Sequence, residues 1–188
     1  MRRVLMLLLL APVFCFSQNK CGISFQAGGG YLFYPGSATD VQILTSKSNH
    51  PLRSGISFEF VADKRVNSFL DLGLGSSYNQ FTDLYGPYIP YLADIRATSQ
   101  GKYKLFSFLD PGYGIYQRNT HTISLGVETN AKVTGGFYIG YGFGVEYKMI
   151  YLQAKYNWFR FKTQFPGGEN SVSNAYGVAG ITFGIRFP

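Results

Sequence analysis

From residue 137 to residue 187 the chain reads as three consecutive β-strands, each with one apolar face and one face of glycine or polar side chains. In the first, Phe137, Ile139, Tyr141, Phe143, Val145 and Tyr147 alternate with Tyr138, Gly140, Gly142, Gly144, Glu146 and Lys148. In the last, Ile181, Phe183, Ile185 and Phe187 alternate with Gly180, Thr182, Gly184 and Arg186. Side chains on a strand point to opposite sides every second residue. A strand this aromatic on one face and this polar on the other suits lipid outside and a polar lumen inside. Open sheet edges cannot face lipid, so such strands must close into a barrel.

The first 17 residues stand apart from that pattern. Arg2 and Arg3 form a positive region, Val4 to Phe16 an apolar one, and Cys15 and Ser17 place small side chains before a cut at Ser17–Gln18. This is the pattern of a secretory signal peptide, 1–17, ahead of a barrel domain, 18–188. The apolar run is short for a transmembrane helix. A lipoprotein signal at Cys15 or Cys21 is the weaker reading, because the residues before each are not small. Removing Arg2 and Arg3 leaves 15 of the 17 Lys and Arg against 10 Asp and Glu, a net charge of +5. Cys21 is then the one remaining cysteine, so an internal disulfide is not available. An unpaired Cys21 at the start of the first strand is the expectation.

Aromatic residues at 18% and 23 glycines are high for a soluble domain, and charged residues at 14% are low. Beyond the signal no apolar run is long enough for a membrane helix, and no stretch shows helical periodicity. Alternation predicts eight strands at about 23–34, 54–62, 67–80, 88–98, 103–117, 136–148, 150–162 and 175–187. Their connections alternate in length. Asp63-Lys64-Arg65, Ser99-Gln100-Gly101 and the turn near Lys148-Met149 are short, while 35–53, 81–87, 118–135 and 163–174 are longer. Short periplasmic turns and longer outer loops give this pattern, with both termini in the periplasm. Pro90 and Pro111 predict local bends in the fourth and fifth strands. The fold expected is therefore all-β, an eight-stranded antiparallel up-and-down transmembrane β-barrel in the outer membrane of a Gram-negative bacterium.

At this point the chain resembles the PorT-like and OmpA-like eight-stranded outer-membrane β-barrel families of Bacteroidota. The likeness is carried by Phe16-Ser17-Gln18, by Tyr88-Ile89-Pro90 at a strand start, by the run from Phe137 to Tyr147 and by the closing strand Gly180–Phe187. The resemblance implies recognition of the aromatic C-terminal strand by the barrel-assembly machinery, through Phe183 and Phe187. This chain ends Phe187-Pro188 rather than on the aromatic residue.

With the apolar faces outward, the lumen receives Glu59, Asp71, Asp94, Arg96, Lys104, Asp110, Glu146, Lys155 and Arg186. An eight-stranded barrel is only wide enough to be filled by side chains. Charges inside must pair, so a self-neutralising polar plug is expected rather than an ion or proton path. The glycine runs (Gly28-Gly29-Gly30, Gly73/Gly75, Gly112/Gly114, Gly140/Gly142/Gly144) lie within strands and relieve crowding; a phosphate loop would need a following helix. His50 and His121 fall in predicted outer loops with no ligand cluster, so no metal site is expected. His121, Ser124 and Glu128 are close in sequence and allow a lipid-modifying Ser-His-Glu arrangement, but no wider motif supports it. Tyr78, Tyr85, Tyr88, Tyr91, Trp158 and Phe159 are expected in aromatic girdles rather than on a ligand-stacking surface.

These features predict a non-enzymatic barrel with no catalytic, cofactor or metal site and no nucleic-acid partner. Its role is structural or one of surface interaction, through outer loops of which 35–53 and 118–135 are the main contact surfaces. Outer-membrane lipid, the assembly machinery and an envelope or extracellular protein are the expected partners, and a monomer is the expected state. Three rivals stand beside this reading: an accessory barrel of a protein secretion system, a lipid-modifying enzyme, and a soluble lipocalin-like binder. The last requires apolar side chains inside and polar ones outside, which the lumenal glycines and charges oppose.

Overall fold

The computed structural model describes residues 22–33, 54–81, 87–124, 127–164 and 171–187. Ten strands run in chain order: β1 (Ile23–Phe33), β2 (Ser54–Arg65), β3 (Leu70–Phe81), β4 (Ile89–Thr98), β5 (Tyr103–Ile115), β6 (Gln117–Ser124), β7 (Val127–Thr134), β8 (Phe137–Tyr147), β9 (Ile150–Gln164) and β10 (Ser171–Phe187). All pairings among them are antiparallel, in the order β10-β1-β2-β3-β4-β5-β8-β9-β7-β6. β10 pairs with β1 on one side and β9 on the other. Eight strands, β1 to β5 with β8 to β10, thereby close an up-and-down barrel, as the alternation predicts.

The alternation sorts the faces. Ile56, Phe58, Phe60, Leu72, Leu74, Tyr91, Leu105, Tyr141, Phe143, Leu152, Ile181 and Phe183 stand exposed on the outer wall. Gln26, Asp71, Asp94, Arg96, Glu146, Lys155 and Arg186 are buried inside. A soluble binder would have these faces exchanged, so the lipocalin-like reading falls. This outer belt is the apolar surface of a transmembrane barrel.

Glycine makes the narrow interior possible. Gly28 and Gly184 are cross-strand neighbours, and a Cβ on either would collide with the Tyr151 ring. Gly142 faces the backbone of Ala154 and Lys155, which cannot move aside. Large inward side chains are thus set beside inward glycines on the next strand, as the sequence led us to expect. Pro111 leaves a gap: the β4–β5 ladder runs from Ile89↔Ile115 to Leu92↔Gly112 and resumes at Ile95↔Leu109. Pro111 has no N–H to donate there. Pro90 keeps its place opposite Gly114.

Three expectations need correction. Asp63-Lys64-Arg65 is not a turn but the end of β2, with Asp63↔Gly73 and Arg65↔Asp71 in register. The turn comes at 66–69, where Asn67 Oδ1 accepts from the amides of Phe69 and Leu70 at 2.9 Å each. Asparagine followed by serine was the available signal. The predicted loop 118–135 is largely the β6–β7 hairpin, with Gln117↔Thr134 to Ser124↔Val127 in register. The predicted loop 163–174 is shortened from both ends, because Ser171↔Gln164 and Val172↔Thr163 are paired.

Strands β9 and β10 therefore outrun the wall. Past β8, the free edge of β9 is taken by β7 through Lys132↔Gln164, Val133↔Thr163 and Thr134↔Lys162. This extension lies at the end opposite the turns at 66–69, 99–102 and 148–149 and opposite Ile23 and Phe187.

Candidate functional site

Inward residues form tiers along the barrel axis. The tier nearest the short turns is ionic. Arg186 donates through Nη2 to Asp63 Oδ1 at 2.5 Å and to Asp71 Oδ2 at 2.7 Å, and through Nη1 to Glu146 Oε2 at 3.2 Å. Ser24 and Gln26 also donate to Asp63, each at 2.5 Å. Arg65 adds a bidentate pair to Asp71 at 2.7 and 3.0 Å, and Lys104 caps Glu146 at 2.7 Å. Three carboxylates on β2, β3 and β8 are thus drawn to one guanidinium on β10. The five N–H donors of a guanidinium let it serve several carboxylates at once, where an ammonium has three.

The middle tier divides between two walls. On one, Glu59 accepts from Lys155 at 2.7 Å, Gln153 at 2.6 Å and Tyr151 at 2.9 Å. On the other, Arg96 lies 4.4 Å above the Phe106 ring and 3.7 Å from Asp94. The β4–β5 register is the same on either side of the gap, which sets Asp94 across from Asp110. Asp94 Oδ2, Asp110 Oδ1 and Arg96 Nε and Nη1 have no hydrogen-bond partner among the described protein atoms. Tyr138 donates to Asn157 at 2.8 Å above them.

The tier farthest from the turns is aromatic, against the expectation of a polar lumen throughout. Tyr88 packs 5.1 Å from Phe159 and 5.2 Å from Phe161, and Phe161 meets Tyr116 edge-on at 5.3 Å. Phe81, Tyr176, Val133 and Val178 join them, all buried. Tyr88 and Phe159 are therefore interior residues and not members of a girdle. Tyr78 and Tyr91 are exposed on the wall, and Trp158 stacks edge-on with outward Phe137 at 6.0 Å.

The change of tier coincides with an inversion on β9. Below it, Leu152 is exposed while Gln153 and Lys155 are buried. Above it, Arg160 and Lys162 are exposed while Phe159 and Phe161 are buried. β10 does the same, with Ser171, Ser173 and Ala175 outside and Tyr176 and Val178 inside. Polar outside and apolar inside is the arrangement of a sheet in water. The aromatic tier is the core of that segment.

The sequence placed all nine of its lumenal charges correctly: Glu59, Asp71, Asp94, Arg96, Lys104, Asp110, Glu146, Lys155 and Arg186 line the interior. It missed Asp63 and Arg65, lost to the misplaced turn. On the β6–β7 hairpin, the register sets His121 opposite Asn130, Ser124 opposite Val127 and Glu128 opposite Ile123. The side chains of His121, Ser124 and Glu128 lie outside the described structure, as do His50, Tyr85, Cys21 and the segment 1–17. Among the described residues no group of three His, Cys, Asp or Glu is placed to hold a metal ion. No described helix is long and apolar enough to cross a membrane, which bears on helices alone.

No protein-family model matches the chain. No curated protein matches it in sequence either. Among solved structures, the crystal structure of Neisserial surface protein A (NspA) is similar at 13% identity and a TM-score of 0.49. The match covers 88% of this chain and 96% of that one.

Proposed function

We propose that this chain is a non-enzymatic outer-membrane barrel whose lumen is plugged and whose outer β-extension is a contact surface for an envelope or extracellular protein. The inversion of polarity along β9 carries this reading. It marks where the lipid-facing wall ends and a water-facing sheet with its own apolar core begins. Below that core, Lys155 with Glu59 and Arg186 with Asp63 and Asp71 form ion pairs inside the barrel, which supports a filled lumen. An interior of eight strands has room for little else. The signal-like residues 1–17 and the likeness to PorT-like barrels support placement in the outer membrane of a Gram-negative bacterium.

The test uses a photo-crosslinking residue in place of Thr120 on β6, in intact cells. The expected result is a discrete protein adduct that is absent when the same residue replaces Leu74 on the lipid face. Planar-bilayer recordings of the purified barrel should show no stepwise conductance. Adduct-free hairpins together with a conducting barrel would overturn the reading.

A further inference from the structure

The end of the barrel that carries the short turns has an unusual distribution of charge. The six carboxylates whose side chains are described, Glu59, Asp63, Asp71, Asp94, Asp110 and Glu146, all face the lumen. The rim around them is basic: Lys64, Lys102 and Lys148 are exposed. None of these three forms an ion pair among the described residues.

Two of the lysines share one aromatic platform. Tyr103 and Tyr147 are direct cross-strand partners of β5 and β8 and stack at 4.9 Å with 23° between their rings. Lys102 Nζ lies 5.9 Å from the Tyr103 ring and 5.8 Å from the Tyr147 ring. Lys148 Nζ lies 5.5 Å from the Tyr147 ring. The rings hold the ammonium groups by cation–π attraction and leave their N–H donors free. Lys148 is also held at a φ of 56°, a left-handed position where glycine or asparagine is favoured. Directly along the wall are exposed Leu105, Met149 and Ile150, where acyl chains would lie.

We propose that Lys102 and Lys148, over the Tyr103–Tyr147 pair, form a binding site for the phosphate head group of an anionic phospholipid in the leaflet at the short-turn end. The occupant is a lipid and not a free anion, because the site straddles the edge of the apolar belt. The ammonium groups face the head-group layer, and the tyrosines carry an apolar ring with a polar tip, as interfacial aromatics do. Only the assignment to the periplasmic leaflet rests on the outer-membrane reading above.

The full barrel is reconstituted in phosphatidylcholine bilayers, and association of spin-labelled phosphatidylglycerol is compared with that of spin-labelled phosphatidylcholine. Lysines at a lipid surface attract anionic head groups, so a preference of roughly threefold or more is expected. It should fall as sodium chloride is raised and vanish in the Lys102→Gln/Lys148→Gln double variant. Lys102→Arg/Lys148→Arg should keep it, and so should Lys132→Gln/Lys162→Gln at the opposite end. Heat-dependent gel mobility confirms that each variant has folded. Equal association of the two lipids with the native chain overturns the proposal, as does a preference that survives the glutamine variant. Competition by inorganic phosphate beyond that of sodium chloride at equal ionic strength also overturns it, in favour of a free-anion site. None of these outcomes bears on the crosslinking and conductance tests, so the two readings fail separately.

Discussion

Lys155 and Glu59 meet across the lumen at 2.7 Å, although β9 and β2 are separated in the wall by β10 and β1. Their side chains are only 3% and 10% exposed. Removing one partner of such a pair strands the other. Lys155→Met should therefore destabilise the barrel by about 3–5 kcal/mol, the usual cost of an uncompensated buried charge. Adding Glu59→Gln should restore part of that loss. Urea midpoints in lipid vesicles, followed by gel mobility, measure both; a Lys155→Met barrel as stable as the native one would refute the pairing.

Arg186 and Arg65 both reach Asp71, but in different surroundings. The Arg186 side chain is 7% exposed and that of Arg65 is 44% exposed. Arg186→Gln should cost about 3–5 kcal/mol. Arg65→Gln should cost about 1 kcal/mol or less, because water already screens it. Equal losses from the two would show that the rim is as dry as the interior.

Tyr151 fixes the size of its neighbours. Gly184→Ala pushes a methyl group into the Tyr151 ring and should cost about 1–3 kcal/mol by overpacking. In a Tyr151→Ala background the ring contact is gone while the Ala27 carbonyl, 2.5 Å from the added methyl, remains, so part of that cost should disappear. Additive losses in this double-mutant cycle would place the strain elsewhere.

Leu74 and Phe161 test the two surroundings of the wall. Leu74 is 72% exposed on the outer face, and Leu74→Arg should cost about 2–4 kcal/mol in a bilayer. Phe161 is fully buried in the upper core, where Phe161→Ala should cost about 3–5 kcal/mol. A Leu74→Arg barrel that folds in vesicles as well as the native chain would rule out lipid at that position.

Alternation made the lower wall legible because lipid and lumen demand opposite chemistry there. In β8, the aromatic row from Phe137 to Tyr147 against Gly140, Gly142 and Gly144 leaves one register that keeps the apolar row outside. The upper end was harder to read. Trp158, Phe159 and Phe161 are aromatic whichever way they point, so period two carries no contrast until Arg160 and Lys162 are noticed. A girdle was the natural guess for Phe159 and Tyr88, and burial shows it wrong. The β6–β7 hairpin was invisible for a related reason. β6 is polar on both faces apart from Ile123, β7 offers only the small row Val127, Thr129, Ala131 and Val133, and the hairpin joins the wall through the free edge of β9, a long-range partner no local pattern reveals. Asp63 was lost because a charged run resembles a turn, although Asn67 held the better signal one step on.

The lumenal charges are also ordered in time. The chain lays down Glu59, Asp63 and Asp71 early, and the buried cations that pair with them, Lys155 and Arg186, arrive with its last two strands. A sheet missing β10 is left with Asp63, Asp71 and Glu146 deprived of their shared guanidinium in a low-dielectric setting. Partial assemblies are thereby penalised, and the seam between first and last strands is sealed by electrostatics as well as by backbone pairing. The Arg186 hub of the ionic tier acts as a latch that engages only once the cylinder is complete.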